Sequence, residues 1–401
     1  MTKSIVVVGN GMASVRFLQE FFARDVDAFA VTVIGAEPEA GYNRILLSPM
    51  LAGEIAWADV QLRPAEWYAD LGIELVTGDE VVTLDPAGKS VTCASGLVRH
   101  FDACVLATGS DPIRLPVPGA NLPGVVTFRT AADVAVMLAA ARAGAPAVVI
   151  GGGLLGIEAA YGLAKLGIKV TLIHLMDRLM ERQLDAEAAA LLADALRAKG
   201  IELLLGAQTA AISGQGAVAC VTLKDGRELP CGLVVMAAGV RPRTGLGKSA
   251  GLAVNRGILI DDRLATSRPG IYAIGECAEH RGACYGLVEP AYEQAATLAG
   301  HLCGEAVDYA GSVPAANLKV SGVPVFSAGD FEGIGAEAII LRDDLIPAYR
   351  KLVIRDGRLA GAILYGDTDD SFWYLDLIRS GAPLGARRAM LAFGQAYAEA
   401  A

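Results

Sequence analysis

The sequence predicts an α/β protein: two doubly wound parallel-sheet domains and a small C-terminal α/β domain. Three observations predict it. An apolar run, Ile5-Val6-Val7-Val8, passes straight into a glycine turn, Gly9-Asn10-Gly11-Met12-Ala13-Ser14, and then into helical spacing at Val15, Phe17, Leu18, Phe21 and Phe22. The same order recurs at Ala147-Val148-Val149-Ile150, Gly151-Gly152-Gly153-Leu154-Leu155-Gly156, and a helix carrying Ile157, Ala160, Leu163, Ala164 and Leu166. Two further apolar strands end in matching glycine exits, Ala107-Thr108-Gly109-Ser110-Asp111-Pro112 and Ala237-Ala238-Gly239-Val240-Arg241-Pro242. Unbroken apolar runs of this length suit strands covered on both faces, as parallel sheets require.

Each strand–turn–helix unit has the Rossmann-like dinucleotide-binding pattern. In the first, Gly9 permits the tight turn and Gly11 lets backbone approach a pyrophosphate at the helix N-terminus. Ser14 stands where a third glycine often sits, small enough for close packing. The next strand, residues 30–34, ends just before Glu37, whose carboxylate can accept hydrogen bonds from a ribose. Arg44, in Tyr42-Asn43-Arg44-Ile45-Leu46-Leu47-Ser48-Pro49, reads equally as a phosphate-binding guanidinium or as a solvated loop arginine. The second unit carries all three glycines, Gly151, Gly153 and Gly156. Its second strand, residues 168–173, ends at His174, where an acid would favour NAD and a nearby arginine NADP. His174 is neither and Arg178 is close, so the preference stays open. As a lone histidine, His174 reads as a solvated loop residue.

Between these units, residues 71–76, 81–84 and 90–93 read as a small β-meander. Residues 130–143 read as a helix with Thr130 as N-cap. Beyond the second unit come a long amphipathic helix over 184–199 and strands over 201–205, 218–223 and 228–235. The exit at Gly239 reads as a crossing back to the first domain. Residues 271–277, Ile-Tyr-Ala-Ile-Gly-Glu-Cys, read as a strand ending in Gly275 and the acid Glu276, placed to bind a ribityl or ribose hydroxyl. A helix over 289–302 follows, and Gly311-Ser312-Val313-Pro314 marks a boundary. The remainder alternates strands, 339–341, 349–354 and 360–364, with a final helical stretch. The expected domains are therefore 1–115 with 237–310, 116–236, and 311–401. The two glycine-rich units read as the only internal repeat.

Composition narrows the function. A chain of 401 residues exceeds one normal core. A formal charge of −10 argues against nucleic acid as main partner. The richest apolar stretch, residues 134–150, is broken by Arg142, Gly144 and Pro146, so no membrane span is expected. The N-terminus enters a strand at once without signal-peptide features, so a cytoplasmic protein is expected. Seven scattered cysteines form no Cys-x-x-Cys pair and no metal-ligand spacing, which fits a reducing compartment and predicts no metal site.

With GNGMAS and Glu37, ATGSDP, GGGLLGIE, AAGVRP and YAIGEC on the chain from Ile5 to about His301, the sequence resembles the FAD-dependent pyridine-nucleotide oxidoreductases with two dinucleotide-binding domains. Within them it is most similar to the flavin-reductase portion of bacterial NAD(P)H nitrite reductase large subunits, through YNRILLS, GGGLLGIEAA, YAIGECA and GDTDD around Asp367. Rubredoxin and ferredoxin reductases are close neighbours. The resemblance implies that Gly9, Gly11, Glu37, Arg44, Thr108, Gly109 and Glu276 hold FAD, and that Gly151, Gly153, Gly156 and Glu158 lie on the NAD(P)H side. It makes Glu158 the catalytic acid, near the nicotinamide–flavin contact, and adds Met12, Ala13, Ser48, Leu155, Gly239 and Gly275 to the cofactor-binding set. NADH is weakly favoured because no arginine directly follows His174. The implied acceptor is a separate redox protein: iron–sulfur, rubredoxin-type, or a nitrate or nitrite reductase component. The sequence departs from disulfide reductases and NADH peroxidases in lacking a cysteine over residues 42–49, and Pro49 replaces a lysine of some ferredoxin reductases. Two alternatives remain: an NAD(P)H oxidase or thiol/disulfide reductase, for which only Cys277 and Cys284 are local candidates, and a nucleotide-sensing flavoprotein that binds partners. Trp373 and Tyr374 are candidate partner contacts, or core residues of the small domain.

Overall fold

The computed structural model describes residues 3–24, 29–318, 322–343 and 345–400. The chain forms two compact units. One comprises residues 1–46, 56–111 and 240–312; the other comprises 47–55, 112–239 and 313–401.

In the first unit, among the described residues, five parallel strands run in the order Ile271–Ala273, Ala103–Leu106, Lys3–Val8, Phe29–Ile34, Glu74–Val76. The central strand pairs on both sides, Val8 with Ile34 and with Leu106. That explains its unbroken apolar run: Ile5, Val6, Val7 and Val8 are all buried. The helix Met12–Phe22 lays Val15, Phe17, Leu18 and Phe21 into the core and packs against the helix Val288–Leu302. The unit also holds an antiparallel meander, Val81–Asp85, Ser90–Cys93 and Val98–His100, and the short pair Ile258–Ile260 and Ala278–His280.

The second unit repeats this plan. Its parallel sheet runs Ile201–Leu204, Val170–Ile173, Ala147–Ile150, Leu233–Met236, Val125–Thr127, and it carries its own meander, Thr209–Ser213, Cys220–Leu223 and Glu228–Pro230. The repeat is thus larger than the two glycine turns that show in the sequence. The order of four strands and the appended meander recur, while the fifth, edge strand comes late in the chain of the first unit (Ile271–Ala273) and early in that of the second (Val125–Thr127). Three strand expectations change. Residues 271–277 hold a strand only over Ile271–Ala273, and Gly275–Cys277 is a 3-10 turn. Residues 74–76 join the parallel sheet rather than the meander, whose third strand is Val98–His100. Residues 228–235 are two strands, because Cys231 and Gly232 turn the chain from meander into sheet. The helix expected over 130–143 is Ala131–Arg142. Thr130 accepts from the Asp133 backbone N–H at 3.2 Å, and Asp133 accepts from the Thr130 N–H at 3.0 Å.

The C-terminal segment of the second unit is a five-stranded antiparallel sheet, ordered Ala315–Leu318, Val325–Gly329, Arg358–Tyr365, Ala348–Arg355, Glu337–Asp343. The helix Ser371–Ser380 covers one face, burying Tyr374, Leu375 and Leu377 against Phe326, Leu352 and Leu364. Tyr374 is therefore core, its hydroxyl donating to the Leu391 carbonyl at 2.6 Å, and Trp373 packs partly buried beside it. The alternative of Tyr374 as a surface contact does not hold. Phe372 is the exposed aromatic of that helix.

Candidate dinucleotide sites

Two glycine turns have the same construction. In the first, the Gly9 N–H donates to the Ile34 carbonyl at 2.8 Å, and φ is +106°. A Cβ there would lie 2.3 Å from the Ala107 carbonyl oxygen, so only glycine fits. In the second, the Gly151 N–H donates to the Ile173 carbonyl at 2.8 Å, φ is +125°, and a Cβ would lie 2.2 Å from the Ala237 carbonyl oxygen. Gly11 and Gly153 are the N-caps of the helices Met12–Phe22 and Leu154–Lys165, and neither cap is a side chain. A Cβ at either would meet nothing within 4 Å. Each turn therefore leaves an open space before uncapped helical N–H groups, which suits a pyrophosphate.

The third positions differ. A Cβ at Gly156 would stand 1.8 Å from the Gly151 carbonyl oxygen. At the first turn, Ser14 is accommodated because its Oγ donates to the equivalent carbonyl, that of Gly9, at 2.6 Å.

Around the first turn, the sequence-predicted residues converge. Met12 and Ala13 open the helix, and the Gly275 Cα packs over Ala13, where a Cβ would come within 3.1 Å of the Ala13 methyl. The Gly275 N–H donates to the Gln294 side chain at 2.7 Å. Glu276 accepts from Ser110 Oγ at 2.6 Å. Thr108 Oγ1 donates to the Arg243 carbonyl at 3.0 Å, and the Arg243 N–H to the Gly109 carbonyl at 2.9 Å. Arg44 reaches Glu37: its guanidinium pairs with Oε1, while Tyr42 donates to Oε2 at 2.6 Å and accepts from Arg44 at 2.9 Å. The structure thus joins Glu37, the candidate ribose acceptor, to Arg44, the candidate phosphate-binding arginine, and Arg44 is not a solvated loop side chain. Asn10, Tyr42, Ser110 and Gln294 were missed from the sequence. Asn10 accepts from Tyr68 at 3.0 Å, and its side-chain nitrogen is buried without a partner. Asn10, Tyr42 and Ser110 stand inside the quoted motifs, and Gln294 lies on the helix Val288–Leu302 with no motif to mark it.

In the second unit, Glu158 is 7% exposed on the helix Leu154–Lys165, four residues past the helix start. Ser48 Oγ donates to its Oε2 at 2.5 Å, and Ser48 is itself buried. Burial pushes the Glu158 carboxyl up to about 7, the Ser48 hydrogen bond opposing only part of it. Ser48 reaches this place on the short helix Leu47–Leu51, which packs against the helices Leu154–Lys165 and Ala131–Arg142. Gly162 permits that approach, since a Cβ there would lie 2.9 Å from Leu51 Cγ. Leu155 is half-buried beside the turn, and Gly239, at φ +101°, accepts the Ile113 N–H at 2.9 Å.

His174 corrects the sequence reading. It is buried, not solvated: Nδ1 accepts the Gly152 N–H at 3.0 Å, and Nε2 lies 3.0 Å from Glu181 Oε2. A Cβ at Gly152 would fall 2.7 Å from its ring, so the middle glycine of the turn makes room for this histidine.

All seven cysteines are free. Cys277 is fully buried, its Sγ contacting the Leu106 and Ile274 carbonyls at 3.4 Å, and burial pushes its thiol pKa up. Burial raises Cys284 likewise. Raised pKa values disfavour the thiolate that disulfide chemistry requires. Among the described residues no group of three or more His, Cys, Asp or Glu could hold a metal, and no helix is long and apolar enough to cross a membrane.

Comparison with known proteins decides the family. The pattern described as "Pyridine nucleotide-disulphide oxidoreductase" matches residues 3–297. The chain belongs to this family of oxidoreductases. The pattern of the "Rubredoxin NAD+ reductase C-terminal domain" matches residues 314–382. The chain is 47% identical over 384 residues to the nitrite reductase [NAD(P)H] of Bacillus subtilis (strain 168), covering 95% of this chain and 48% of that protein. It is 44% identical over 374 residues to the assimilatory nitrate reductase electron transfer subunit of the same organism, covering 93% and 48%. The chain thus spans about half the length of these two curated relatives. In fold it is similar to putidaredoxin reductase, as solved in a covalent complex with putidaredoxin: TM-score 0.88, 27% identity, covering 97% of this chain and 95% of that one. The family uses flavin and NAD(P)H.

Proposed function

We propose that this chain is a cytoplasmic FAD-dependent NADH:acceptor oxidoreductase that passes electrons to a separate redox protein. The FAD-binding domain is residues 1–115 with 237–310, the NAD(P)H-binding domain 116–236, and residues 311–401 serve the partner. The acceptor is an iron–sulfur or rubredoxin-type protein, or a component of nitrate or nitrite reduction. The observation that carries the reading is the pair of turns, each with an open glycine cap before a free helix N-terminus. The named activities of the relatives, and putidaredoxin seated on its reductase, support the direction of electron flow.

On this reading Gly9, Gly11, Met12, Ala13, Glu37, Arg44, Thr108, Gly109, Gly275 and Glu276 hold FAD. Gly151, Gly153, Leu155, Gly156 and Gly239 hold the donor nucleotide. A bound flavin supplies the chemistry of taking up a hydride and releasing electrons singly. The chain supplies position and charge. The helix N-termini at Gly11 and Gly153 neutralise pyrophosphate. Ser48 donates to Oε2 of Glu158, so a proton carried by that carboxyl resides on Oε1. A Glu158 neutral in mildly acidic solution puts no buried negative charge against an anionic nucleotide. The high thiol pKa values and the absence of cysteine over 42–49 disfavour a thiol/disulfide mechanism.

The test is anaerobic titration of the purified, flavin-loaded chain with NADH, followed by a one-electron acceptor. The expected result is stoichiometric bleaching and reoxidation by ferricyanide or a rubredoxin. Purified protein that binds no flavin would refute the reading. So would a flavin that NADH and NADPH both fail to reduce.

A further inference from the structure

We propose that Glu181, held in place by His174, reads the adenosine ribose of the donor nucleotide and makes the second turn selective for NADH. The inference rests on the assignment of that turn to the donor. In a strand–turn–helix–strand unit, the ribose reaches the C-terminal end of the second strand, where a carboxylate ordinarily accepts its hydroxyls. That end is occupied here by His174, directly after the strand Val170–Ile173. Its ring is already committed. Nδ1 accepts the Gly152 N–H at 3.0 Å, so the ring proton sits on Nε2 and faces Glu181 Oε2 at 3.0 Å. No acceptor is left on the imidazole for a ribose hydroxyl. The next acceptor outward is the Glu181 carboxylate.

The segment bearing Glu181 is anchored at the turn. The Met180 N–H donates to the Gly152 carbonyl at 2.9 Å, and Met180 is held in the left-handed region at φ +50°. Leu179 and Met180 are fully buried there. The Glu181 side chain is 24% exposed, against 11% for His174, so it lies at the mouth rather than in the core. Among the described residues His174 is its one polar partner, which leaves Oε1 for a diol. Of the nearby cations, Arg178 stands 3.9 Å from Asp177 and 4.0 Å from Glu332 with its Nε buried without a partner, and Arg182 is solvent-exposed. A 2′-phosphate would meet the negative charge of the fixed Glu181 carboxylate.

The experiment is calorimetric titration of the FAD-loaded protein with NAD⁺ and with NADP⁺, which involves no turnover, alongside kcat/KM for NADH and NADPH. Wild type is expected to favour NAD⁺ and NADH. Glu181→Gln should weaken NAD⁺ by about tenfold to a hundredfold, as expected for losing a hydrogen bond to a charged group, and should not weaken NADP⁺. Flavin content and melting temperature should be unchanged. His174→Asn keeps an acceptor for the Gly152 N–H but releases Glu181, and should shift the ratio in the same direction by less. If Glu181→Gln keeps the wild-type ratio, or weakens both nucleotides equally, the role of Glu181 is overturned while NADH as donor stands. A wild type that prefers NADP⁺ overturns the NADH assignment itself.

Discussion

Replacing Glu158 with Gln tests the electrostatics of the second unit. The carboxyl is buried, accepts one hydrogen bond from Ser48, and is pushed up from 4.5 to about 7. Because the folded value lies above the unfolded one, the sign is fixed. Below pH 4.5 both states hold the proton and the group costs nothing. As pH rises towards 7, the unfolded chain ionises first and stability falls, until the folded carboxyl also ionises. The shift corresponds to roughly 3 kcal/mol of stability lost at pH 8 relative to an unperturbed acid. Gln keeps the shape, accepts from Ser48 through its carbonyl, and carries no charge. The variant should match wild type near pH 4.5 and gain steadily up to about pH 7, ending roughly 2–3 kcal/mol more stable. Denaturant unfolding at half-unit pH steps measures the gain. Infrared difference spectra of wild type against the variant give an independent check: a carboxylic-acid band should disappear with a midpoint near pH 7. A stability difference that is flat from pH 5 to 8, or a band already absent at pH 5, would refute the argument that burial outweighs the Ser48 bond.

The remaining predictions concern the cradles and the thiols. Gly11→Val should fold, because its φ is −97° and a Cβ meets nothing within 4 Å, yet purify largely without FAD because the side chain fills the pyrophosphate space; full flavin content, read by absorbance, would contradict this. Gly153→Val, at φ −83° and equally open, should keep FAD and bleach with dithionite while losing at least about tenfold in NADH affinity. Unchanged stopped-flow reduction would place the donor elsewhere. The double variant Cys277→Ser, Cys284→Ser should retain flavin and most ferricyanide turnover, since the Leu106 and Ile274 carbonyls that Cys277 contacts accept a hydroxyl equally well. A flavin-replete double variant that NADH reduces but that cannot pass electrons on would reveal a thiol relay.

The sequence by itself determined both strand–turn–helix units, and with them the family. Their signals are local: an apolar run buried on both faces, glycines at Gly9 and Gly151 held at positive φ, and a helix that repeats its buried face each turn. Such constraints act within about ten residues and so leave a pattern in the string. Tertiary structure alone decided which side chains meet. Ser48 and Glu158 are 110 positions apart, and Ser110 and Glu276 are 166 apart, so no spacing announces either pair. Nor does sequence distinguish a solvated His174 from one wedged over Gly152, because that depends on which groups surround the ring once the sheet has formed. The shift of Glu158 has the same origin. An acid on a helix is ordinary by composition, and only the surrounding packed residues remove the water that would keep it charged.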